Sequence, residues 1–462
     1  MKKNILLSML AGLMLLAWTS CEDYNKEFLD EAVTTLYLKN SGETPLTIYR
    51  AGVDDIYKIV VDKTGYDLTA ETDAEIILLN QIDLDIYNQE QGVAYKLLPN
   101  DCYVLPADLN CRFGKDDLYK TFDLTLKTEV IYNLLLAATA DETYVLPLQL
   151  VASNDSINAE KNHLFLVPKV EIPTVYFNKT GFINNPVSIN DPSQTITLTL
   201  PIELIIDNRW SFDCTVSVNE DLLTAYNTEN EAAYRLLPED VYTINPTVSF
   251  VPGTSLANVE VQISRASLSL GTYILPLQLN SVSNEYFEID GAKNACLFGI
   301  SYTPPRDALQ RVPLTESMIT VLAPAQEGSV ANLCDNDPNT YYHSPYSGTR
   351  PYDPVYGVYI DVALPDPVNS IAVDYRTRHN NGNGAPKFVK LYGSMDGSTW
   401  DLIGILSGDL PTTSNTAYSS PVFSSPDQFK YFRFAVIEAP QGKLNQDPPS
   451  FFALGELSLY AQ

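Results

Sequence analysis

Residues 94–103 read AYKLLPNDCY, and at 233–242 the chain reads AYRLLPEDVY. The same offset of 139 relates Tyr87-Asn88 to Tyr226-Asn227 and Tyr37 to Tyr176. Further on, TYVLPLQL at 143–150 returns as TYILPLQL at 272–279, an offset of 129. A repeat that holds one offset and then loses ten residues is two copies of one domain, the first carrying about ten extra residues between Pro106 and Thr143.

Inside each copy the apolar period is two. Ile196, Leu198, Leu200, Ile202 and Leu204 alternate with Thr, Thr, Pro and Glu, and the same alternation runs through Phe122, Leu124, Leu126 and through Val259, Val261, Ile263. That pattern puts one face of each strand inside and predicts half-buried antiparallel sheets. Turn residues recur every eight to twelve residues or so without a long helical stripe, so each copy is expected to be an immunoglobulin-like β-sandwich. A short helical turn or loop is expected in the stretch from Tyr-Asn to Leu-Leu-Pro.

The amino terminus sets the compartment. Lys2 and Lys3 precede an apolar run from Ile5 to Trp18, followed by Thr19, Ser20 and Cys21. The run is too short for a mature membrane span and has the order of an export signal. Residues 1–20 are therefore expected to be removed. The whole chain carries a formal charge of −28. Such a surface repels phosphate backbones, so nucleic acid is excluded as a partner, and neutral ligands remain.

Beyond Cys21 five cysteines stand at 102, 111, 214, 296 and 334. The number is odd and none has CxxC or Cys/His spacing, so neither a disulfide framework nor a zinc site is indicated. Pairing of Cys102 with Cys111 and buried free thiols are the two alternatives. Residues 303–313, with Pro304, Pro305 and Pro313, read as a linker. A third domain follows, placing boundaries at 31–170, 171–302 and 314–462, with a tether over 21–30.

Four resemblances attach to these residues. Cys21 sits where bacterial lipoprotein signals place the acylated cysteine, although Trp18 replaces the usual Leu; an ordinary signal cleaved nearby is the alternative. Glu22 and Asp23 resemble the tag that sends Bacteroidetes lipoproteins to the outer face of the outer membrane. That implies lipidation at Cys21, anchoring in outer-membrane lipid and exposure at the cell surface. The AYxLLPxxxY and TYxLPLQL motifs resemble the adhesin-like N-terminal module of Bacteroidetes surface lipoproteins, which occurs in tandem ahead of glycan-binding or glycosidase domains. Residues 314–462 resemble the discoidin, or coagulation factor type C, jelly rolls, many of which bind carbohydrate. NLCDNDPNTYYHS (332–344), VYIDV (358–362), IAVDYRTR (371–378), GSMDGSTW (393–400), KYFRF and LGELSLY carry this likeness. The fold class expected is all-β: two tandem immunoglobulin-like β-sandwiches followed by a discoidin-type β jelly roll.

The discoidin resemblance implies a structural calcium ion held by Asp335, Asp337, Thr340 and Glu456, because that cation takes six to eight oxygen ligands. Asp335 and Asp337 capping a turn is the alternative. The resemblance also assigns Tyr342, His343 and Arg376 or Arg378 to ligand contact, while Tyr341, Tyr346, Asn380, Phe451 and Phe452 lie in the same loops. A flat ring meets the C–H face of a sugar, and planar polar groups meet its hydroxyls. For each residue a core role is the competing reading, and for Arg376 a carboxylate partner. Trp400 is assigned to the core.

No GxSxG, HExxH or P-loop is present, so an enzyme is not expected. The resulting reading is a surface lipoprotein that binds carbohydrate through its last domain, beside glycan-uptake proteins of the same membrane. An adhesin or assembly protein with a protein ligand and the sandwiches as spacers is the alternative.

Overall fold

The repeated phrases meet in space. In the computed structural model, which describes residues 34–152 and 157–462, Tyr95–Leu97 lies as a parallel strand beside residues 143–145 of TYVLPLQL. Arg235 and Leu236 lie in the same way beside Tyr273 and Ile274. A helix precedes each short strand, Gln81–Gln91 in the first copy and Glu220–Glu229 in the second, and each starts on an asparagine. The Asn80 side chain accepts from the backbone N–H of Ile82 and Asp83, and Asn219 accepts from Asp221. Such caps satisfy donors that the first turn leaves open.

The recurring Tyr-Asn pair lies in the last turn of this helix. Asn88 donates to the Tyr95 carbonyl at 2.9 Å and accepts from the Tyr95 N–H at 3.1 Å. Asn227 makes the same two bonds to Tyr234, at 2.8 and 3.0 Å. The helical segment thus ends before the Ala-Tyr phrase, and Leu-Leu-Pro continues as strand and a single 3₁₀ turn.

The described residues form two compact units, one running to Pro173 and including Glu285–Glu288, the other comprising Thr174–Asn284 and Ile289–Gln462. In the first unit one sheet has the order Thr35–Leu38, Asp55–Thr64, Tyr119–Leu126, Tyr103–Val104. The facing sheet has the order Gly42–Tyr49, His163–Glu171, Thr143–Val151, Thr72–Leu78, Asn110–Phe113. Leu36, Ile59, Val61, Leu124 and Leu126 from one sheet meet Ile48, Ile76, Leu146, Leu148 and Leu164 from the other. Removing this apolar surface from water, at roughly 25 cal/mol per Å², is the main force holding the sandwich together. TYVLPLQL is apolar on both faces because helix Gln81–Gln91 covers the outer one, where Leu84, Val145 and Phe165 form a second small core.

Two features depart from a purely antiparallel meander. Each copy has a parallel pair at one side of a sheet, Gly42–Tyr49 with His163–Glu171 and Gly181–Pro186 with 296–301. The first copy also carries a helix, Thr128–Ala137, where the second has only a turn between Leu256–Ser264 and Gly271–Val282. This ten-residue helix accounts for the change in repeat offset.

The second unit joins the second sandwich to a jelly roll. Its sheet has the order Glu327–Gly328, Tyr342–His343, Ala453–Ala461, Val358–Thr377, Phe423–Ala439, Phe388–Ser394, Asp401–Leu406. Strand Val358–Thr377 changes partners along its length: 358–363 pair with 431–436, and 371–377 pair with 454–461. Register breaks between Ala363 and Val368 let one strand serve both layers around Ile360, Val362, Val373, Phe432 and Phe434. Among the described residues no helix is long and apolar enough to cross a membrane. Cys21 and the signal segment lie outside the described residues.

Several expectations are corrected. The proline-bearing stretch 303–313 is built into the jelly roll: Gln310 and Arg311 pair with Ala461 and Tyr460, and the Val312 N–H donates to the Leu459 carbonyl at 2.8 Å. Arg306 bonds to the Asp374 carboxylate and the Ser420 carbonyl. Of the two alternatives left open for Cys102 and Cys111, the structure has buried free thiols, which burial pushes up to about 11 and about 12. Trp400 is only half-buried. It stacks on the Arg433 guanidinium, 4.0 Å from its ring centre, and is not a core side chain.

Candidate functional site

The tip of the jelly roll grows from two short strands. Glu327 and Gly328 pair with His343 and Tyr342, which pair in turn with Ala453 and Leu454. Gly328 has φ +73°, and a Cβ there would stand 1.8 Å from the Tyr341 carbonyl oxygen. Glycine lets the two backbones approach and sets Glu327 beside the Tyr341–Tyr346 loop.

Strand alternation separates Tyr342 from its neighbours. Tyr342 is 0% exposed, its hydroxyl donates to the Ala323 carbonyl at 2.7 Å, and its ring packs on Phe452. It is a core residue, which corrects its assignment to ligand contact, and Phe452, also 0% exposed, is corrected likewise. The reason is periodicity: adjacent strand residues face opposite sides, so Tyr341 and His343 share the outer side.

His343 is 5% exposed and forms the floor of the tip. Phe451 and Tyr346 pack on its ring, each with centroids 5.1 Å away. Its Nδ1 lies 2.6 Å from the Ser344 carbonyl oxygen. A carbonyl only accepts, so Nδ1 carries the proton and Nε2 is left as an acceptor. Burial holds the imidazole below its ordinary value and keeps it neutral.

Beside this floor lies a polar network. Glu327 accepts from the Tyr346 hydroxyl at 2.7 Å and the Tyr341 hydroxyl at 3.0 Å, which hold its carboxyl below the ordinary range. Arg378 lies 4.0 Å above the Tyr341 ring centre and 3.2 Å from Glu327. Its Nε donates to Asn380 Oδ1 at 2.7 Å. Buried Nδ1 of His379 has no partner in the described residues, and the His379 ring stands 5.7 Å from Tyr341. Tyr346 is 42% exposed, so this network sits at the surface with Phe451 beside it.

Of the residues expected here, His343, Tyr346, Arg378, Asn380 and Phe451 are brought together. Arg376 is not part of the cluster. Its guanidinium donates to the backbone and side-chain oxygens of Asn415, at 2.9 and 3.1 Å, and it has no carboxylate partner in the described residues. Glu327 was missed, since nothing in the sequence near Pro324–Gly328 forms a motif. Only its pairing across from His343 brings it in.

The acidic loop forms a second centre. Asp335 accepts from the Asp337 N–H at 2.9 Å and from the Thr340 hydroxyl at 2.9 Å. Glu456, on the last strand more than a hundred residues away, places its carboxyl against Asp335, with Oε1 buried and without a partner. Burial first, and then contact with Asp335, raise the Glu456 carboxyl to about 7. Asp337 is engaged elsewhere, accepting from the N–H and side-chain amide of Asn339 at 3.0 and 2.9 Å. Among the described residues no three His, Cys, Asp or Glu side chains converge as metal ligands. Asp337 caps the turn in this way, and its charge adds to that of Asp335 in raising the Glu456 carboxyl.

Comparison with known proteins places these features in families. The model of an N-terminal domain family matches residues 24–157 and again 170–286, together more than half of the chain. The chain belongs to this N-terminal-domain family. Two tandem family domains precede a match to the F5/8 type C domain over residues 318–446. No curated protein matches the chain. Among solved structures, a two-domain protein of unknown function from Bacteroides fragilis is 13% identical, covering 62% of this chain and 94% of its own, with a TM-score of 0.25. A family 32 carbohydrate-binding module of a family 31 glycoside hydrolase from Clostridium perfringens is 21% identical, with 32% and 94% covered and a TM-score of 0.26. A family 32 module from the same organism in complex with galactose is 17% identical, with 33% and 98% covered and a TM-score of 0.26.

Proposed function

We propose that the chain is a carbohydrate-binding protein whose jelly roll takes a neutral sugar at the tip formed by Tyr346, Phe451, His343, Arg378 and Glu327. One observation carries the reading: half-exposed rings stand next to planar polar groups that already hold one another in place. The ring of Tyr346 or Phe451 offers a flat apolar face, and the Nε2 atom of His343, the carboxylate of Glu327 and the guanidinium of Arg378 offer acceptors and donors beside it. Glu327 and the net charge of −28 act against acidic sugars. The match to the F5/8 type C domain agrees with this reading.

The Asp335 and Glu456 pair fits a calcium ion. Two carboxyls pressed together, one with a buried unpartnered oxygen, gain from a cation between them, and the Thr340 hydroxyl and loop carbonyls add the neutral oxygens such an ion prefers. Its role would be structural, tying the loop before Tyr341 to the last strand.

The amino-terminal sequence supports export, acylation at Cys21 and display on the outer membrane beside glycan-uptake machinery. A glycan array on the full chain tests the binding reading, with Arg378→Ala and Phe451→Ala as controls. A neutral saccharide whose signal both substitutions abolish is the expected result. No hit, or hits indifferent to both changes, would remove the tip as a sugar site.

A further inference from the structure

A cleft of about 690 Å³ lies between the second sandwich and the jelly roll. Its size is that of small-molecule sites, which favour domain boundaries. Two contacts hold its walls: Arg235 of the sandwich reaches Asp427 at 3.7 Å and the Ser425 hydroxyl at 3.5 Å, and Arg306 ties the connecting segment to Asp374 and Ser420.

The chemistry of the walls selects the ligand. Tyr234 and Thr303 from the sandwich side line the cleft, as do Tyr418 and Ser407 from the jelly roll, with the Tyr234 ring held by Phe182 and Tyr226 and the Tyr418 ring by Tyr375. None of these four hydroxyls makes a hydrogen bond within the described residues, and burial raises both tyrosines above their ordinary value. Each hydroxyl can donate and accept, which suits a ligand that does the same at neighbouring positions. Ile405 and Phe423 give an apolar floor. The one cation on the wall, Arg306, is engaged by Asp374, and Glu231 disfavours an anion.

We propose that this cleft is a second ligand site, taking a neutral oligosaccharide with its C–H face on Ile405 and Phe423 and its hydroxyls on Tyr234, Tyr418, Thr303 and Ser407. It shares only the ligand class with the tip and stands or falls separately.

The test uses the full chain with the tip disabled by Arg378→Ala and Phe451→Ala, titrated with gluco-, galacto-, manno- and xylo-oligosaccharides of two to six residues. At least one oligosaccharide should bind. The double change Tyr234→Phe, Tyr418→Phe should weaken that binding about tenfold, by loss of two hydrogen bonds. Ser407→Trp should abolish it by filling the cleft. The phenylalanine variants keep ring and shape, so they report on the site even if the tryptophan variant unfolds. Absence of binding in the tip-disabled chain, or binding that both groove changes leave intact, would overturn the proposal. Full binding retained on the tip changes but lost on the groove changes would instead reject the tip reading and leave the cleft standing.

Discussion

Arg433 and Asp361 stand opposite each other on neighbouring strands in a two-pronged ion pair, Nε to Oδ1 at 2.7 Å and Nη2 to Oδ2 at 2.8 Å. The guanidinium is covered by the rings of Tyr359 and Trp400, 3.6 and 4.0 Å away, and its side chain is only 7% exposed. Arg433→Ala leaves Asp361 uncompensated and should cost about 3–5 kcal/mol of stability. Arg433→Lys should not restore it, because an ammonium cannot fork to both oxygens or stack. Denaturant unfolding measures both; full stability in the lysine variant would show that charge alone suffices.

The asparagine clasp makes a paired prediction. Asn227→Ala removes two half-buried bonds to Tyr234 and should destabilise the second sandwich by about 1–3 kcal/mol, with Asn88→Ala acting alike on the first. Hydrogen exchange at the Tyr95 and Tyr234 amides should rise in the respective variants. An unchanged exchange rate would mean that the backbone holds these strands without the side chain.

At the tip, Glu327→Gln keeps the shape but weakens the acceptor shared by Tyr341, Tyr346 and Arg378. Sugar affinity should fall about tenfold while the melting temperature hardly moves, since single surface changes usually stay within about 0.5 kcal/mol. A large loss of stability with unaltered affinity would assign Glu327 to structure.

Calcium should raise the melting temperature of the second unit, and a chelator should lower it. At an ion concentration one hundred times its dissociation constant the gain is about 2.7 kcal/mol, or several degrees. Glu456→Gln and Asp335→Asn should each abolish the response. Identical melting curves with calcium and with chelator in the unsubstituted chain would dismiss the ion.

Acidification acts through His343. Burial keeps its folded value below the ordinary 6.5. At pH 7.5 the ring is neutral in both states, so the contribution is complete. As pH falls below 6.5 the unfolded chain takes up a proton at this residue that the folded chain refuses, and the His343 contribution declines until the folded value is passed, while Glu456, raised to about 7, acts in the opposite sense and equally in parent and variant. His163 of the first sandwich is depressed by burial in the same sense and remains in both proteins compared. Between pH 7.5 and 5.5 the His343→Gln variant should therefore lose less melting temperature than the parent, and equal losses would contradict the assignment.

The sandwiches were legible because alternation and repetition are properties of neighbouring residues. Leu198, Leu200, Ile202 and Leu204 face inward as their spacing requires. The inserted helix Thr128–Ala137 was visible only as a change of offset, since Thr-Glu-Val-Ile-Tyr reads equally well as strand. At the tip, His343 and Arg378 were named through the discoidin resemblance and Tyr346 and Phe451 through their place in the same loops, but Tyr342 could not be separated from Tyr341 without knowing which side of a two-residue strand faces out. Glu327 and the Glu456–Asp335 contact depend on pairing between distant segments. Spacing along the chain does not encode such proximity.

The insertion of Gln310–Val312 alongside Tyr460 and Ala461 governs how this protein should be dissected. A fragment starting at Leu314 would strip a neighbour from the final strand and remove the Arg306 tie to Asp374. The bared edge would present unpaired amides and carbonyls, a template for strand-to-strand aggregation. Isolated modules made for ligand screening should start before Pro304, so that a negative result reports on recognition and not on a damaged fold.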